Sequence, residues 1–145
     1  MNIEKELIKN YKLLEIYKNK YEIFLQKSNN PYFSYQIDEF KKIRENYFYY
    51  YDNNIALNRL KISGFPDLTN NFAVDVHGFN KKQFSYLLDY LFEEAKNHKD
   101  IVIYIITGKG KGILSRFLIE NIEEFNSYYC TKFRLKDEGN GFLLH

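Results

Sequence analysis

Phe72-Ala73-Val74-Asp75-Val76 runs straight into His77-Gly78, and Ile101-Val102-Ile103-Tyr104-Ile105-Ile106 runs into Thr107-Gly108-Lys109-Gly110-Lys111-Gly112. Both apolar runs have the length and β-branched character of strands, and both end in polar loops that contain glycine. On an open α/β sheet, ligands settle at the carboxyl ends of the strands. The two loops are therefore expected side by side along one edge of a sheet, although they are far apart in the chain.

The intervening sequence supports that arrangement. Asn80 is a good helix N-cap, and Gln83 follows at the spacing of a capping box. The helix they open, over about 81–97, carries Phe84, Leu87, Leu88, Leu91, Phe92 and Ala95 on one face. After the glycine loop, Ile113, Leu114, Phe117, Leu118, Ile122 and Phe125 mark another helix. A strand near 128–135, the turn Asp137-Glu138-Gly139-Asn140-Gly141 and a last strand, Phe142-Leu143-Leu144, complete the order βαβαββ. Right-handed crossovers make the first strands parallel and place both helices on one face. The continuous apolar run 101–106 reads as an interior strand covered on both faces.

Ahead of this unit the pattern is helical. Ile3, Leu7, Tyr11, Leu14, Tyr17, Tyr21 and Phe24 recur at helical spacing over 2–27, and Ser28-Asn29-Asn30-Pro31 ends the run. A second helix is expected over about 34–51, with Ile37, Phe40, Ile43 and Tyr47 on one face, and a third, shorter one over 53–61. Residues 63–71, rich in Ser, Gly, Pro and Asn, have linker composition. The expected organisation is a helical extension at 1–62, a linker at 63–71 and an α/β (α+β two-layer) domain at 72–145.

Composition bounds the rest. The chain has 145 residues, 45% apolar and 28% charged, which are values of a globular protein. The net charge of +2 does not argue for nucleic acid by bulk electrostatics, and from Phe72 onward ten Lys/Arg face ten Asp/Glu, so anion binding would have to come from a local patch. The single cysteine, Cys130, lies in a strand-like stretch and reads as a buried structural thiol in a reducing compartment. No apolar run reaches the ~18 residues of a membrane span, and no secretory leader is visible, so a cytoplasmic protein without membrane partners is expected. The tyrosines cluster in the helical half, including Tyr49-Tyr50-Tyr51; such a run stacks on bases or packs as core.

Asp75 and His77 stand two apart on extended chain and so point to the same side. A carboxylate beside an imidazole orients the ring and favours its protonated form, which suits proton transfer near neutral pH. Gly78 lets the backbone turn and leaves room for a ligand. The alternative is a hydrogen-bonded strand-end histidine without chemistry. Thr107, Gly108, Lys109, Gly110 and Lys111 lie between strand and helix, where backbone N–H groups, a helix N-terminus and lysines can cradle a phosphate, with Arg116 one turn on. The alternative there is a turn with solvated lysines. Walker spacing is absent, and G-x-G-x-x-G fails because Ile113 or Ser115 takes the last glycine position. Asp75 and His77 alone fall short of a metal site, so no metal ligands are assigned.

Taken in order, Asp75-Val76-His77-Gly78, the amphipathic helix, Thr107-Gly108-Lys109-Gly110 and the turn Gly139-Asn140-Gly141 resemble the small MutS-related (Smr) domain. That resemblance covers about 72–145 and implies a βαβαββ fold similar to the C-terminal domain of translation initiation factor 3. It also implies a nuclease, acting on RNA, including mRNA on ribosomes, or nicking DNA. By motif, Asp75 and His77 become catalytic or substrate-positioning residues, while Gly108, Lys109 and Gly110 line the phosphate path. The loop after Gly110 is short and lacks a serine or histidine that some branches carry. The leading expectation is an RNA endonuclease, with no cofactor firmly implied and a divalent metal left open. DNA nicking, and a non-catalytic module that binds nucleic acid or the ribosome through its N-terminal helices, are the alternatives.

Overall fold

The computed structural model describes residues 1–27, 37–69, 71–98, 100–108 and 112–145. Among them the chain is α+β, with four helices and four strands in the order α1 (Ile3–Lys27), α2 (Ile37–Ile62), β1 (Phe72–Asp75), α3 (Lys81–Ala95), β2 (Ile103–Ile106), α4 (Ile113–Tyr129), β3 (Leu135–Asp137) and β4 (Gly141–Leu144). The sheet is mixed and ordered β1-β2-β4-β3; β1 and β2 are parallel, and β4 is antiparallel to both neighbours.

Alternation decides which face is covered. Phe72 and Val74, Ile103 and Ile105, and Phe142 and Leu144 point into the core and meet the apolar faces of α3 and α4. The opposite face carries Ala73, Tyr104, Leu143 and Lys136 in one register line and has no helix over it among the described residues. The expectation that 101–106 is covered on both faces is corrected here: Tyr104 and Ile106 are only half-buried. An unbroken apolar run does not separate one-sided from two-sided cover, because single exposed apolar residues are ordinary at a protein surface.

α1 and α2 form an antiparallel hairpin. Tyr17 stacks on Tyr50 at 5.6 Å, Tyr21 on Tyr47 at 5.1 Å, and Phe24 packs on Phe40 at 5.9 Å. Directed polar bonds dock this hairpin on α3. Gln83 Nε2 donates to Asp52 Oδ1 at 2.9 Å and Tyr90 Oη donates to Asn53 Oδ1 at 2.9 Å, while within the hairpin Asn53 Nδ2 donates to Asn10 Oδ1 at 2.8 Å. Ile3, Ala56, Leu57 and Leu60 share the core of the sheet, as do Phe65 and Leu68 in the segment between α2 and β1.

The helices expected at 34–51 and 53–61 are one helix from Ile37 onward; the expected start at Ser34 and the stop at 28–31 lie outside the described residues. Asp52 and Asn53, which read as a break, are buried and bonded to α3 and α1. The strand expected near 128–135 is also corrected. α4 continues through Tyr129, and the strand is Leu135–Asp137. Buried Asn126 shapes the exit, accepting from Thr131 Oγ1 at 2.7 Å and Phe133 N at 3.0 Å while donating to the Phe133 carbonyl at 2.9 Å. Cys130, expected to be a buried thiol, is exposed and caps α4 in the left-handed conformation, φ +56.

Candidate functional site

The site grows from the ends of the two parallel strands. Val76 N donates to the Ile106 carbonyl at 2.8 Å, which carries the β1–β2 pairing one residue past Asp75. The chain then turns at once, with Phe79 N bonded to the Val76 carbonyl at 3.0 Å and Gly78 at φ +84. A β-turn with a positive φ at its third residue favours glycine, which is what the sequence supplies.

In this turn Asp75 Oδ1 accepts twice from one residue, from the His77 backbone N–H at 3.0 Å and from the ring Nδ1 at 2.6 Å. The His77 side chain is 67% exposed and that of Asp75 41%, so the pair faces solvent. Burial pushes the Asp75 carboxyl up; the bonds from the His77 N–H and ring, with the charges of His77 and Arg59, outweigh it and leave the carboxyl below its ordinary value. An ionised Asp75 bound to Nδ1 fixes the ring and directs Nε2, which has no bond among the described residues, toward whatever enters the site.

The second loop meets the first directly. Gly108 sits at φ +84, and a Cβ added there would stand 3.2 Å from His77 Cβ. Thr107 N and Gly108 N both donate to the Asn140 carbonyl, at 3.0 and 2.9 Å, so the Gly139-Asn140-Gly141 turn braces the loop from below. Thr107 Oγ1 and Ser115 Oγ are 2.9 Å apart and tie β2 to the first turn of α4. Gly112 is the N-cap of α4 at φ +74 and supplies no side-chain cap, which leaves the first N–H groups of that helix uncapped by a side chain. Gly78, Phe79, Thr107, Gly108, Gly112 and Ser115 help line a hollow of about 190 Å³ between the loops.

Of the residues singled out from the sequence, Asp75, His77, Gly78, Thr107 and Gly108 come together here. Arg116 lies one turn into α4, exposed and without an ion pair among the described residues. Lys109, Gly110 and Lys111 lie outside the described residues. No group of His, Cys, Asp and Glu side chains able to hold a metal ion occurs among the described residues, nor is any helix among them long and apolar enough to cross a membrane.

Residues 74–142 match the model of the Smr domain. The chain carries an Smr domain. No curated protein and no solved structure matches the chain. An Smr domain points to nucleic-acid binding or nuclease activity, and both loops of the site fall inside the matched span.

Sequence reasoning missed Arg59, which comes from outside the Smr span. This half-buried residue of α2 donates from Nη1 to the Asp75 carbonyl, and its guanidinium lies 5.0 Å from the centre of the Phe79 ring. It therefore holds both ends of the turn that carries His77. The available signal was a cation set among Ala56, Leu57 and Leu60, all fully buried; a charge in that company is kept for a bond.

Proposed function

We propose that the protein is an endonuclease that cuts RNA through the Asp75–His77 pair. His77 Nε2 takes the proton of the 2′-OH next to the scissile phosphate, and Asp75 stabilises the imidazolium that results. The 2′-oxygen bonds to phosphorus as the bond to the 5′-oxygen breaks; the departing oxygen takes up a proton from solvent. The products are a 2′,3′-cyclic phosphate and a 5′-OH. Lys109, Lys111, Arg116 and the N–H groups of the loop hold the charge that builds on the phosphoryl oxygens. Gly78, Thr107, Gly108 and Gly110 give the backbone room to approach it. The observation that carries this reading is the Nδ1 bond to Asp75 in a turn lying against Gly108, the entrance of the phosphate loop.

In the same reading, residues 72–145 form a βαβαββ unit like the C-terminal domain of translation initiation factor 3. Residues 1–62 are an extension joined to it through 63–71. The protein works in the cytoplasm, with ribosome-borne mRNA as its candidate substrate.

The test incubates the full chain with 5′-labelled structured RNA and with supercoiled plasmid, with and without EDTA, alongside His77→Ala, Asp75→Asn and Lys109→Ala. Loss of a general base should slow RNA cleavage by about 10²–10⁴, and cyclic-phosphate ends should be found. RNA cleavage undiminished in His77→Ala would remove that residue from the chemistry. Nicked plasmid with intact RNA would move the activity to DNA, and binding without cleavage would make the protein a non-catalytic module.

A further inference from the structure

Beside the site, α2 and the start of α3 enclose a groove of about 740 Å³. Its α2 wall presents Phe48, Tyr49 and Tyr51, which are 44%, 43% and 44% exposed. Each ring is braced by neighbouring rings and still keeps exposed surface. Phe48 meets Tyr21 edge-on at 6.0 Å and Tyr47 at 5.2 Å, Tyr49 meets Tyr86 at 5.2 Å and Tyr50 at 5.1 Å, and Tyr51 leans on Tyr47 at 6.2 Å. Rings fixed in this way offer contact area with little further loss of side-chain freedom.

Charge complements the rings. Arg44 and Lys82 line the same groove, both exposed and neither in an ion pair among the described residues. Glu45 opposes them in part, whereas Asp52 is buried and bonded to Gln83. The groove also adjoins the site. Asn80 lines the groove and Phe79 lines the hollow beside Gly108, so the two are one residue apart along the chain.

We infer that this groove binds the single-stranded segment flanking the scissile bond, with bases stacked on Phe48, Tyr49 and Tyr51 and phosphates held by Arg44 and Lys82. The inference rests on the nucleic-acid reading of the site and names the form of substrate. Unpaired bases can splay onto aromatic faces, whereas a duplex keeps its bases stacked within. The hairpin thus supplies affinity that the evenly charged second half of the chain lacks.

The test is fluorescence anisotropy of the full chain with a labelled 2′-O-methyl uridine dodecamer, which has no 2′-OH to react, and with a base-free sugar–phosphate strand of equal length. Phe48→Leu/Tyr51→Leu keeps apolar bulk and removes the rings; Phe48→Tyr/Tyr51→Phe keeps the rings. The leucine pair should weaken binding of the dodecamer by tenfold or more and leave the base-free strand unchanged. The ring-retaining pair should bind as the parent does, and Arg44→Ala/Lys82→Ala should weaken both strands. Equal binding of the two strands by the parent, or full binding by the leucine pair, overturns the inference, as does equal competition by duplex.

Should the leucine pair unfold, photocrosslinking of 4-thiouridine RNA to the parent decides the matter. Adducts on 48–51 support the groove, and adducts confined elsewhere reject it. A failure here is separable from a failure of the nuclease reading. Cleavage that needs His77 but has an unchanged KM in the leucine pair rejects only the groove. Ring-dependent binding by a parent that cleaves nothing rejects only the nuclease.

Discussion

Replacing Gly141 with alanine should damage the fold far more than its single added methyl suggests. Gly141 pairs with Ile106 across β4 and β2, and a Cβ there would lie 2.1 Å from the Ile105 carbonyl oxygen, 2.8 Å from Ile106 Cα and 2.9 Å from the Ile105 carbonyl carbon. Carbon and oxygen in contact sit roughly 3.3 Å apart at closest, so β4 must back away from β2 by about 1 Å. That displacement stretches the bonds from Thr107 N and Gly108 N to Asn140, now 3.0 and 2.9 Å, beyond useful range. Lost hydrogen bonds at about 1 kcal/mol each and overpacking at about 1–3 kcal/mol bring the expected loss to about 3–5 kcal/mol. The control is Gly139→Ala, which meets nothing within 4 Å and suffers only from its φ of +89, a penalty of about 1–2 kcal/mol. Thermal melting of both variants should place Gly141→Ala roughly 10 °C below the parent and Gly139→Ala a few degrees below. Equal melting temperatures for the two variants would refute the claim that close backbone approach, rather than turn conformation, demands glycine at 141.

Asp75 gives a pH signature. Its folded carboxyl lies below the ordinary 3.8, so its stabilisation is fully present above that value and is lost as pH falls through the lower folded one. Melting curves between pH 2 and 5 should show the parent losing its advantage over Asp75→Asn as acid is added; a constant gap would contradict this. Asp89 has the opposite sign, because burial raises its carboxyl and the bond from Tyr129 Oη, at 2.7 Å, partly offsets the rise. Tyr129→Phe should lose about 1–2 kcal/mol at pH 7 in urea unfolding, with a deficit that narrows as pH drops and Asp89 takes up its proton. Cys130 should react with a disulfide reagent in the folded protein without denaturant. Cys130→Gly should raise stability by about 0.5–1 kcal/mol, because glycine adopts φ +56 without strain.

What the sequence shows by itself is local. Alternation in 72–76, the Asn80–Gln83 capping box, which forms with bonds of 2.8 and 3.1 Å, and the apolar face of α3 all follow from near neighbours. The facing of Asp75 and His77 is legible for the same reason, since two residues apart on extended chain fixes a side. The unread features depend on partners distant in sequence. Asp52 and Asn53 look like helix breakers until Gln83, Asn10 and Tyr90 take up their polar atoms. Tyr128 and Tyr129 have the aromatic character of a strand, yet packing of Phe92 against Phe125 and Tyr129, at 5.3 and 6.0 Å, holds them in α4. Arg59 could be noticed as an odd cation, but nothing near it in the chain names Asp75 as its acceptor.

That arginine has a consequence for solubility. Phe72 N and Val76 N bond toward β2, so in a parallel ladder the main-chain groups of Ala73 and Asp75 turn to the outer edge of the sheet. An unpaired outer strand is a template on which a second chain can extend the sheet. Arg59 occupies the Asp75 carbonyl on that side and sets a charge against the margin. Removing it would free an acceptor for intermolecular pairing, and self-association would join the loss of aim at His77.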